Sequence, residues 1–462
     1  MMELIEHLKS IVGPTGWVED ADELHPHVTE WRGVYEGKTP VLLRPSNTGE
    51  VSAIVRACAA AGVAIVPQGG NTSMCGGSVP DASGTQVILS LARMKRIRNV
   101  DAANFSMEVD AGCILADAQD AARAADRYLP LSLGAEGSCQ VGGNIATNAG
   151  GINVLKYGTT RSLVMGLEVV LADGRVLDTL RSLRKDNTGY DLKQLFIGSE
   201  GTLGIITAAT LRLFPDPGER TTALVGIETS GVAVELLAGL QQALGDRIES
   251  FELVSGYVFG IVEKHIPDAK VPFDAPYPWY VLIEFSGDSS AVEDALASEA
   301  DSGRIVDAVI AKNDTESGEL WRLRHSISEA ERQEGKALKH DVSVPLSKMQ
   351  EFLHRGDELL ASLRPDLQLV AFGHVGDGNL HYNVVLPRDL GPDEWQQEGE
   401  RITRAVYDLV SELGGSFSAE HGIGQSKKAW LPEYRGGTEF EVMQMVKKTL
   451  DPATLLNPGK LF

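Results

Sequence analysis

One stretch of the chain decides the fold, GAEGSCQVGGNIATNAGG at residues 134–151. It places six glycines among small side chains within 18 residues, a composition that lets backbone lie directly against a flat ligand. The alternative is a flexible surface linker, which would carry more lysine, glutamate or proline. We therefore interpret residues 134–151 as one wall of a ligand site.

Two further segments have a related composition. Residues 67–73, PQGGNTS, follow a short predicted strand at Val63–Val66 and would expose several backbone N–H groups together, which suits a pyrophosphate. A plain turn is the alternative for such a bare double glycine. Residues 198–207, GSEGTLGIIT, form the other glycine-rich segment. No G-x-G-x-x-G motif follows a predicted strand, so the usual Rossmann route to NAD is missing.

Together with residues 456–460, LNPGK, these segments resemble in their order the FAD-binding segments of the vanillyl-alcohol oxidase/p-cresol methylhydroxylase superfamily. The cofactor-binding residues that the resemblance implies are Pro67, Gln68, Gly69, Gly70, Asn71, Thr72, Ser73, Gly137, Ser138, Gly142, Gly143, Asn144, Ala146, Thr147, Asn148, Gly201, Gly204, Ile205, Ile206 and Asn457. Some members of the superfamily carry a histidine in the first loop that bonds covalently to the flavin. Asn71 stands at the matching place here, which implies that FAD is bound non-covalently.

A different stretch, AFGHVGDGNLHYN at residues 371–383, combines histidines with turn-forming glycines. Apolar, strand-like residues flank it on both sides. Because side chains alternate along a strand, His381 and Asn383 should share one face, with Tyr382 on the other. His374, at the mouth of the loop, can reach the face of His381.

Two imidazoles brought together in this way can bind a metal ion, and Glu420 offers a third ligand downstream. Such a set leaves coordination positions open for substrate, as catalytic metal sites do. The alternative is that the histidines are ordinary loop residues, hydrogen-bonded near a tight turn.

The organisation predicted is α+β. Prolines at 215 and 217 mark a boundary, so we expect an FAD-binding domain at 1–218, a substrate domain at 219–415 and a C-terminal helical segment at 416–462 that completes the active site. Predicted strands and helices alternate between residues 221 and 332, which favours a largely antiparallel sheet covered by helices.

Composition narrows the classes of partner. The chain has 462 residues and a formal charge of −22, which argues against nucleic acid and anionic membrane surfaces. No apolar run reaches the ~20 residues of a membrane span, and residues 1–6 lack the pattern of a signal peptide. The four cysteines show no C-x-x-C spacing, so we expect a reducing compartment and a cytoplasmic location.

An acidic chain that binds an anionic substrate needs local cations, and Arg324 and Lys339 are candidates because a guanidinium can hold a carboxylate bidentately. Residues 316–332 are predicted as one helix, with Arg324 and Ser328 on one face. The alternative is that the cations are ordinary solvated surface groups.

The segments around Arg324, Lys339, residues 373–383 and residues 419–424 resemble D-2-hydroxyacid dehydrogenases of the superfamily, and most of all the D-2-hydroxyglutarate dehydrogenases. The resemblance implies that His374, His381 and Glu420 bind a divalent metal, zinc in the first instance. It also implies Arg324, Ser328 and Lys339 at the far carboxylate of the substrate, Asn383 at its reacting end and His421 as the base. Serine at 328 departs from the expected threonine.

The expected reaction is oxidation of D-2-hydroxyglutarate to 2-oxoglutarate, with hydride passing to flavin N5 and onward to an acceptor other than NAD, such as electron-transfer flavoprotein or a quinone. D-Lactate, D-malate and glycolate are alternative substrates, and a homodimer is usual among such proteins. A metal-dependent hydrolase and a non-catalytic binding protein are the more distant alternatives, but a hydrolase would leave the glycine-rich first half without a role.

Overall fold

The computed structural model describes residues 1–287 and 289–462. Its internal contacts divide the chain into two compact units. The first unit contains Met1–Gly150, Gly158–Asp216 and Glu420–Phe462, and the second contains Gly151–Tyr157 and Pro217–Ala419. Among the described residues, no helix is both long and apolar enough to cross a membrane.

The division into units departs from the predicted domains at residues 151–157, 217–218 and 416–419, and hydrogen bonds account for the first and the last of these differences. Residues 151–157 belong to the second unit because Lys156 Nζ and Tyr157 Oη donate to Glu249 Oε1, at 3.0 and 3.1 Å. The second unit extends past residue 415 because Ser416 and Ser343 exchange backbone hydrogen bonds at 2.8 and 2.9 Å.

One sheet of the first unit has four strands, in the order Trp17–Val18, Leu42–Leu43, Val87–Ser90 and Ile65–Gln68, and only its first pair is antiparallel. The helix Thr48–Ala61 connects two of these strands. Asn47 accepts from the backbone of Glu50 at its start, and Gly62 adopts a left-handed φ of 65° at its end. Both ends follow from the local sequence, because Asn47 followed three residues later by Glu50 is a capping-box pattern and glycine commonly ends a helix.

The second sheet of the first unit is antiparallel, in the order Ile97–Asp101, Ser106–Asp110, Ile205–Arg212, Val164–Val170 and Val176–Asp178. Asp173 and Gly174, a pair typical of hairpin turns, lie between its last two strands. The other helices of this unit are Met2–Val12, Ala21–Val28, Leu115–Ala124, Val141–Ala146, Thr160–Leu163, Lys193–Phe196, Leu431–Tyr434 and Thr438–Leu450.

The second unit is built on an eight-stranded antiparallel sheet, as predicted. Its strand order is Asp307–Ile310, Arg220–Ile227, Trp279–Ser286, Ile248–Ser255, Gln368–Gly373, Asn379–Val385 and Ala337–Leu338, with Asp341–Ser343 also paired to Asn379–Val385. Its α-helices are Val154–Tyr157, Ser230–Leu244, Gly256–His265, Ser289–Asp301, Asp314–His325, Ile327–Glu334, Met349–Leu363 and Pro392–Glu412. Short 3-10 turns lie at Gly245–Arg247, Leu346–Lys348 and Val375–Asp377.

The prediction of a single helix over residues 316–332 is wrong. The structure has two helices, Asp314–His325 and Ile327–Glu334, separated by Ser326. Ser326 has a ψ of −6°, away from the roughly −42° of a regular helix. Arg324 and Ser328 therefore lie on consecutive helices, with Arg324 buried and Ser328 exposed.

Candidate functional site

The glycine-rich segments meet in the first unit. The backbone of Gly69 approaches that of Gly143 so closely that a Cβ on Gly69 would lie 3.5 Å from the Gly143 Cα. A Cβ on Gly201 would lie 2.6 Å from Pro67 Cγ, so the segment 198–207 also reaches the first loop. These contacts bring three segments that are distant in the sequence to one place.

The fourth segment joins them through Asn457. Its side-chain amide donates to Gly77 O at 2.9 Å and to Glu200 O at 2.7 Å, while its backbone N–H donates to Ile65 O at 2.8 Å. The N–H of Glu200 in turn donates to Ala146 O at 2.8 Å. The convergence that the sequence predicted only by resemblance is thus built from backbone and amide hydrogen bonds.

Two observations fit a ligand at this convergence. A Cβ added at Gly143 would meet no described atom within 4 Å, so no steric demand of the protein accounts for glycine there. The Oδ1 atom of Asn457 is buried and has no hydrogen-bond partner among the described residues, and a buried polar atom normally has one. An open space beside glycine and an unused acceptor suit a bound cofactor.

Asn71 is held by its surroundings. It has a φ of 53°, a left-handed conformation that asparagine tolerates. Its amide donates to Pro26 O and Thr29 O, at 3.0 and 2.9 Å, and accepts from Ser78 Oγ at 2.7 Å. The Asn71 side chain therefore holds the loop at residues 67–73 in place.

Glu200 supports the loop that follows Glu420 and His421, which both lie in the first unit. Its carboxylate accepts from the backbone N–H groups of Ile423 and Gly424, both at 2.7 Å. Burial raises the pKa of the Glu200 carboxyl, and these two N–H groups act in the opposite direction. Glu200 lies within the glycine-rich segment 198–207, and no local pattern predicts this role.

In the second unit, the predicted hairpin brings His374 and His381 together. The strands Gln368–Gly373 and Asn379–Val385 pair with Phe372 opposite His381, and the two imidazole rings have centroids 5.7 Å apart. Both histidines are buried, with 7% and 8% of their surface exposed. The shared face predicted for them is confirmed.

Glu252 lies behind His374. The strand Ile248–Ser255 pairs with Gln368–Gly373 with Leu253 opposite Gly373, which sets Glu252 beside His374. One carboxylate oxygen contacts His374 Nδ1, and the other accepts from Arg324 Nε at 2.7 Å. Burial alone would raise the pKa of the Glu252 carboxyl, but the contacts with His374 and Arg324 outweigh it and lower the pKa to about 2.

A second buried carboxylate faces His381. Asp341 Oδ1 lies 3.9 Å from His381 Nδ1 and accepts from Asn379 Nδ2 at 3.0 Å. The other oxygen of Asp341 accepts from the backbone N–H of Ala419 at 3.1 Å. Each histidine thus has its Nδ1 turned toward a buried carboxylate, an arrangement common behind metal-binding histidines.

Glu331 connects two of the predicted substrate residues. Its Oε2 contacts Lys339 Nζ and accepts from Asn383 Nδ2 at 3.3 Å. Its Oε1 is buried and has no hydrogen-bond partner among the described residues. Ser328, on the same helix, is exposed and makes no side-chain hydrogen bond within the described chain.

The structure therefore joins Arg324 to His374 and Lys339 to Asn383, in each case through a buried glutamate. Sequence reasoning missed Glu252, Glu331 and Asp341. A signal for Glu252 was present, because two charged residues, Glu249 and Glu252, lie within one strand at residues 248–255. The roles of Glu420 and His421 at the histidine pair stay predictions.

Comparison with known proteins agrees with this construction. Residues 39–180 match the model of the FAD binding domain, and residues 216–461 match that of the FAD linked oxidases, C-terminal domain. These matches, together with the fold, define the class as FAD-linked oxidoreductases.

Similar proteins extend over nearly the whole chain. The probable mitochondrial D-2-hydroxyglutarate dehydrogenase of Oryza sativa subsp. indica is 38% identical over 99% of this chain and 81% of its own length. The D-2-hydroxyglutarate dehydrogenase of Xanthomonas citri pv. viticola is 38% identical over 96% and 93%, and the mitochondrial enzyme of Bos taurus is 39% identical over 97% and 82%. The chain belongs to the D-2-hydroxyglutarate dehydrogenase family and is an FAD-dependent dehydrogenase.

Solved structures share the fold at much lower identity. p-Cresol methylhydroxylase aligns with a TM-score of 0.77 and 16% identity, covering 100% of this chain and 96% of that one. Alkyldihydroxyacetonephosphate synthase aligns with a TM-score of 0.73 and 19% identity over 99% of this chain and 84% of that one. The expected vanillyl-alcohol oxidase/p-cresol methylhydroxylase fold is confirmed.

Proposed function

We propose that the protein oxidises D-2-hydroxyglutarate to 2-oxoglutarate, passing the C2 hydride to N5 of non-covalently bound FAD and the hydroxyl proton to His421. The names of the relatives support the substrate, and the cations of the second unit support a second carboxylate on it.

The observation that carries the proposal is the position and hydrogen bonding of Arg324. Its Nε is bonded to Glu252 and its guanidinium lies over the Phe372 ring, 4.8 Å from the centroid. It makes no other side-chain hydrogen bond among the described residues, so both Nη groups are available. Two parallel N–H groups on a fixed plane suit a carboxylate, and the aromatic face keeps that plane in place.

Lys339 extends the same recognition. Its ammonium contacts Glu331, and its side chain is 29% exposed, while Glu331 is buried. A substrate carboxylate can therefore reach Lys339 without displacing its partner. We assign the far carboxylate of the substrate to Arg324, Ser328 and Lys339, and we assign Asn383 to orienting the reacting end.

The donor set of the second unit fits a divalent metal such as zinc. His374 and His381 would bind it through Nε2, because Nδ1 of each faces a buried carboxylate. Glu420 is the proposed third ligand, and the chain leads into it from Ala419, which is bonded to Asp341. When bound, the metal polarises the substrate hydroxyl and makes it a stronger acid.

His421 is the proposed base. An imidazole can accept the hydroxyl proton near neutral pH, and the adjacent loop backbone is held by Glu200. The flavin, when bound, supplies the hydride acceptor. Electron-transfer flavoprotein or a quinone as final acceptor, a homodimer and a cytoplasmic location belong to the proposal as predictions of the sequence.

Anaerobic kinetics with a substrate series tests the proposal. The purified protein is mixed with D-2-hydroxyglutarate, D-malate or D-lactate, and bleaching of flavin absorbance gives the rate. We expect the diacids to reduce the flavin at lower concentration than D-lactate, and Lys339→Met to raise the KM for diacids selectively. Equal KM values for D-lactate and D-2-hydroxyglutarate would contradict the assignment of Arg324 and Lys339.

A further inference from the structure

We infer that Glu252 is a positioning residue that fixes the metal ligand His374 and the substrate-binding Arg324 with one carboxylate. The inference rests on the proposed function, since it takes His374 and Arg324 in the roles assigned there.

The position of Glu252 follows from strand pairing. The strand Ile248–Ser255 lies at the centre of the sheet, next to the strand that ends at Gly373. Glu252 has no exposed surface, so its carboxylate needs partners for both oxygens. His374 contacts Oε1 and Arg324 donates to Oε2 at 2.7 Å.

These contacts determine which atom of each side chain Glu252 engages. A carboxylate at Nδ1 of His374 favours the tautomer with the proton on Nδ1, in which Nε2 carries the lone pair that can bind a metal. A carboxylate at Nε of Arg324 leaves the two Nη groups for substrate. A single side chain therefore sets the tautomer of His374 and the orientation of Arg324.

Aromatic contacts extend this arrangement to the second histidine. The Arg324 guanidinium lies 4.8 Å from the Phe372 centroid, and the Phe372 and His381 rings have centroids 4.9 Å apart. A shift of Arg324 would therefore disturb the neighbours of both histidines. We expect loss of Glu252 to weaken metal binding and carboxylate binding together.

The same strand offers a matched control. Glu249 is also fully buried, but its partners are Lys156, Tyr157 and Arg220, and it contacts none of the proposed site residues. Glu249→Gln removes a buried carboxylate from the same strand and reports the general cost of doing so. Any effect confined to Glu252→Gln is then specific to His374 and Arg324.

The test measures metal affinity and substrate affinity separately on the FAD-loaded protein. Zinc affinity is obtained by competition with a chromophoric chelator, without turnover, and KM and kcat are obtained with D-2-hydroxyglutarate and D-lactate. For Glu252→Gln we expect zinc affinity to fall about 10- to 100-fold. We also expect the KM for D-2-hydroxyglutarate to rise at least about tenfold while that for D-lactate changes less. Glu249→Gln should keep both quantities within about twofold.

Zinc affinity unchanged in Glu252→Gln, or changed equally in Glu249→Gln, would overturn the inference. A loss of zinc affinity with no selective rise in the diacid KM would also overturn it, because Arg324 would then not depend on Glu252. Glu252→Asp, which keeps the charge but withdraws the oxygens, is judged by the same criteria if the glutamine variant does not fold. A wild-type protein that binds no zinc and is bleached by no 2-hydroxyacid would instead refute the proposed function itself.

Discussion

Gly142 and Gly143 are adjacent in one short helix but should respond oppositely to alanine. Neither has a positive φ, so alanine is compatible with the backbone at both. A Cβ at Gly142 would lie 2.6 Å from Ala111 Cβ and 3.0 Å from Ala111 O, whereas a Cβ at Gly143 would meet no described atom within 4 Å. Glycine at position 142 therefore avoids a clash within the protein, whereas glycine at position 143 leaves space that a cofactor can occupy.

The magnitudes follow from these distances. Overpacking against a neighbouring backbone destabilises a fold by about 1–3 kcal/mol. The higher helix propensity of alanine offsets about 0.5–1 kcal/mol of this loss. Gly142→Ala should lower the free energy of unfolding of the flavin-free protein by about 1–2 kcal/mol. Gly143→Ala should leave it unchanged or slightly higher, but should raise the FAD dissociation constant at least tenfold, equivalent to about 1.4 kcal/mol.

The assay combines denaturant unfolding of the flavin-free protein with titration of FAD by its fluorescence. Wild type and both variants are compared under identical conditions. A Gly143→Ala variant that binds FAD as tightly as wild type would refute the assignment of the space beside Gly143 to the cofactor. A destabilised Gly143→Ala variant would contradict the steric argument.

Three further predictions concern other residues. The thiols of Cys58 and Cys113 should not react with a disulfide reagent at pH 8 until the protein is unfolded, because burial raises their pKa values to about 12 and about 11. Prompt labelling of these cysteines in the native protein would contradict this prediction. Burial, assisted by Lys428, lowers the pKa of Lys460 from 10.5 to about 8. Between these two pH values Lys460 is therefore protonated in the unfolded chain and deprotonated in the folded protein. In this pH range the free energy of unfolding should rise with pH by ~1.4 kcal/mol per pH unit more steeply in the wild type than in Lys460→Met. Equal slopes in the two proteins would contradict the lowered pKa of Lys460. His421→Ala should retain FAD but reduce it with substrate about 10²- to 10⁴-fold more slowly, and unchanged anaerobic bleaching would remove His421 as the base.

Features of the fold that depend on local sequence patterns could be predicted from the sequence. The cap at Asn47 and the stop at Gly62 have characteristic residues, and the helix Thr48–Ala61 lies between them. Apolar, strand-like residues flank a glycine-rich turn around His374 and His381, and the two strands pair as a hairpin. These features depend on neighbours within a few residues, which is why they could be predicted.

The features that were missed depend on distant partners. Glu252 meets His374 across 122 positions of sequence, through a pairing of strands that no local pattern specifies. The break at Ser326 interrupts a continuous helical pattern, and residues on both sides of it favour a helix. Asp341 follows Lys339 by two residues in the sequence, but its approach to His381 requires the register of Asp341–Ser343 with Asn379–Val385.

The most direct test of the central claim is the anaerobic visible spectrum of the purified protein with D-2-hydroxyglutarate, before and after treatment with a chelator. We predict a yellow protein whose flavin absorbance is bleached by the diacid, loses that response on chelation and regains it with zinc. A protein without flavin absorbance, or a flavin that the diacid bleaches equally after complete removal of metal, would contradict the account.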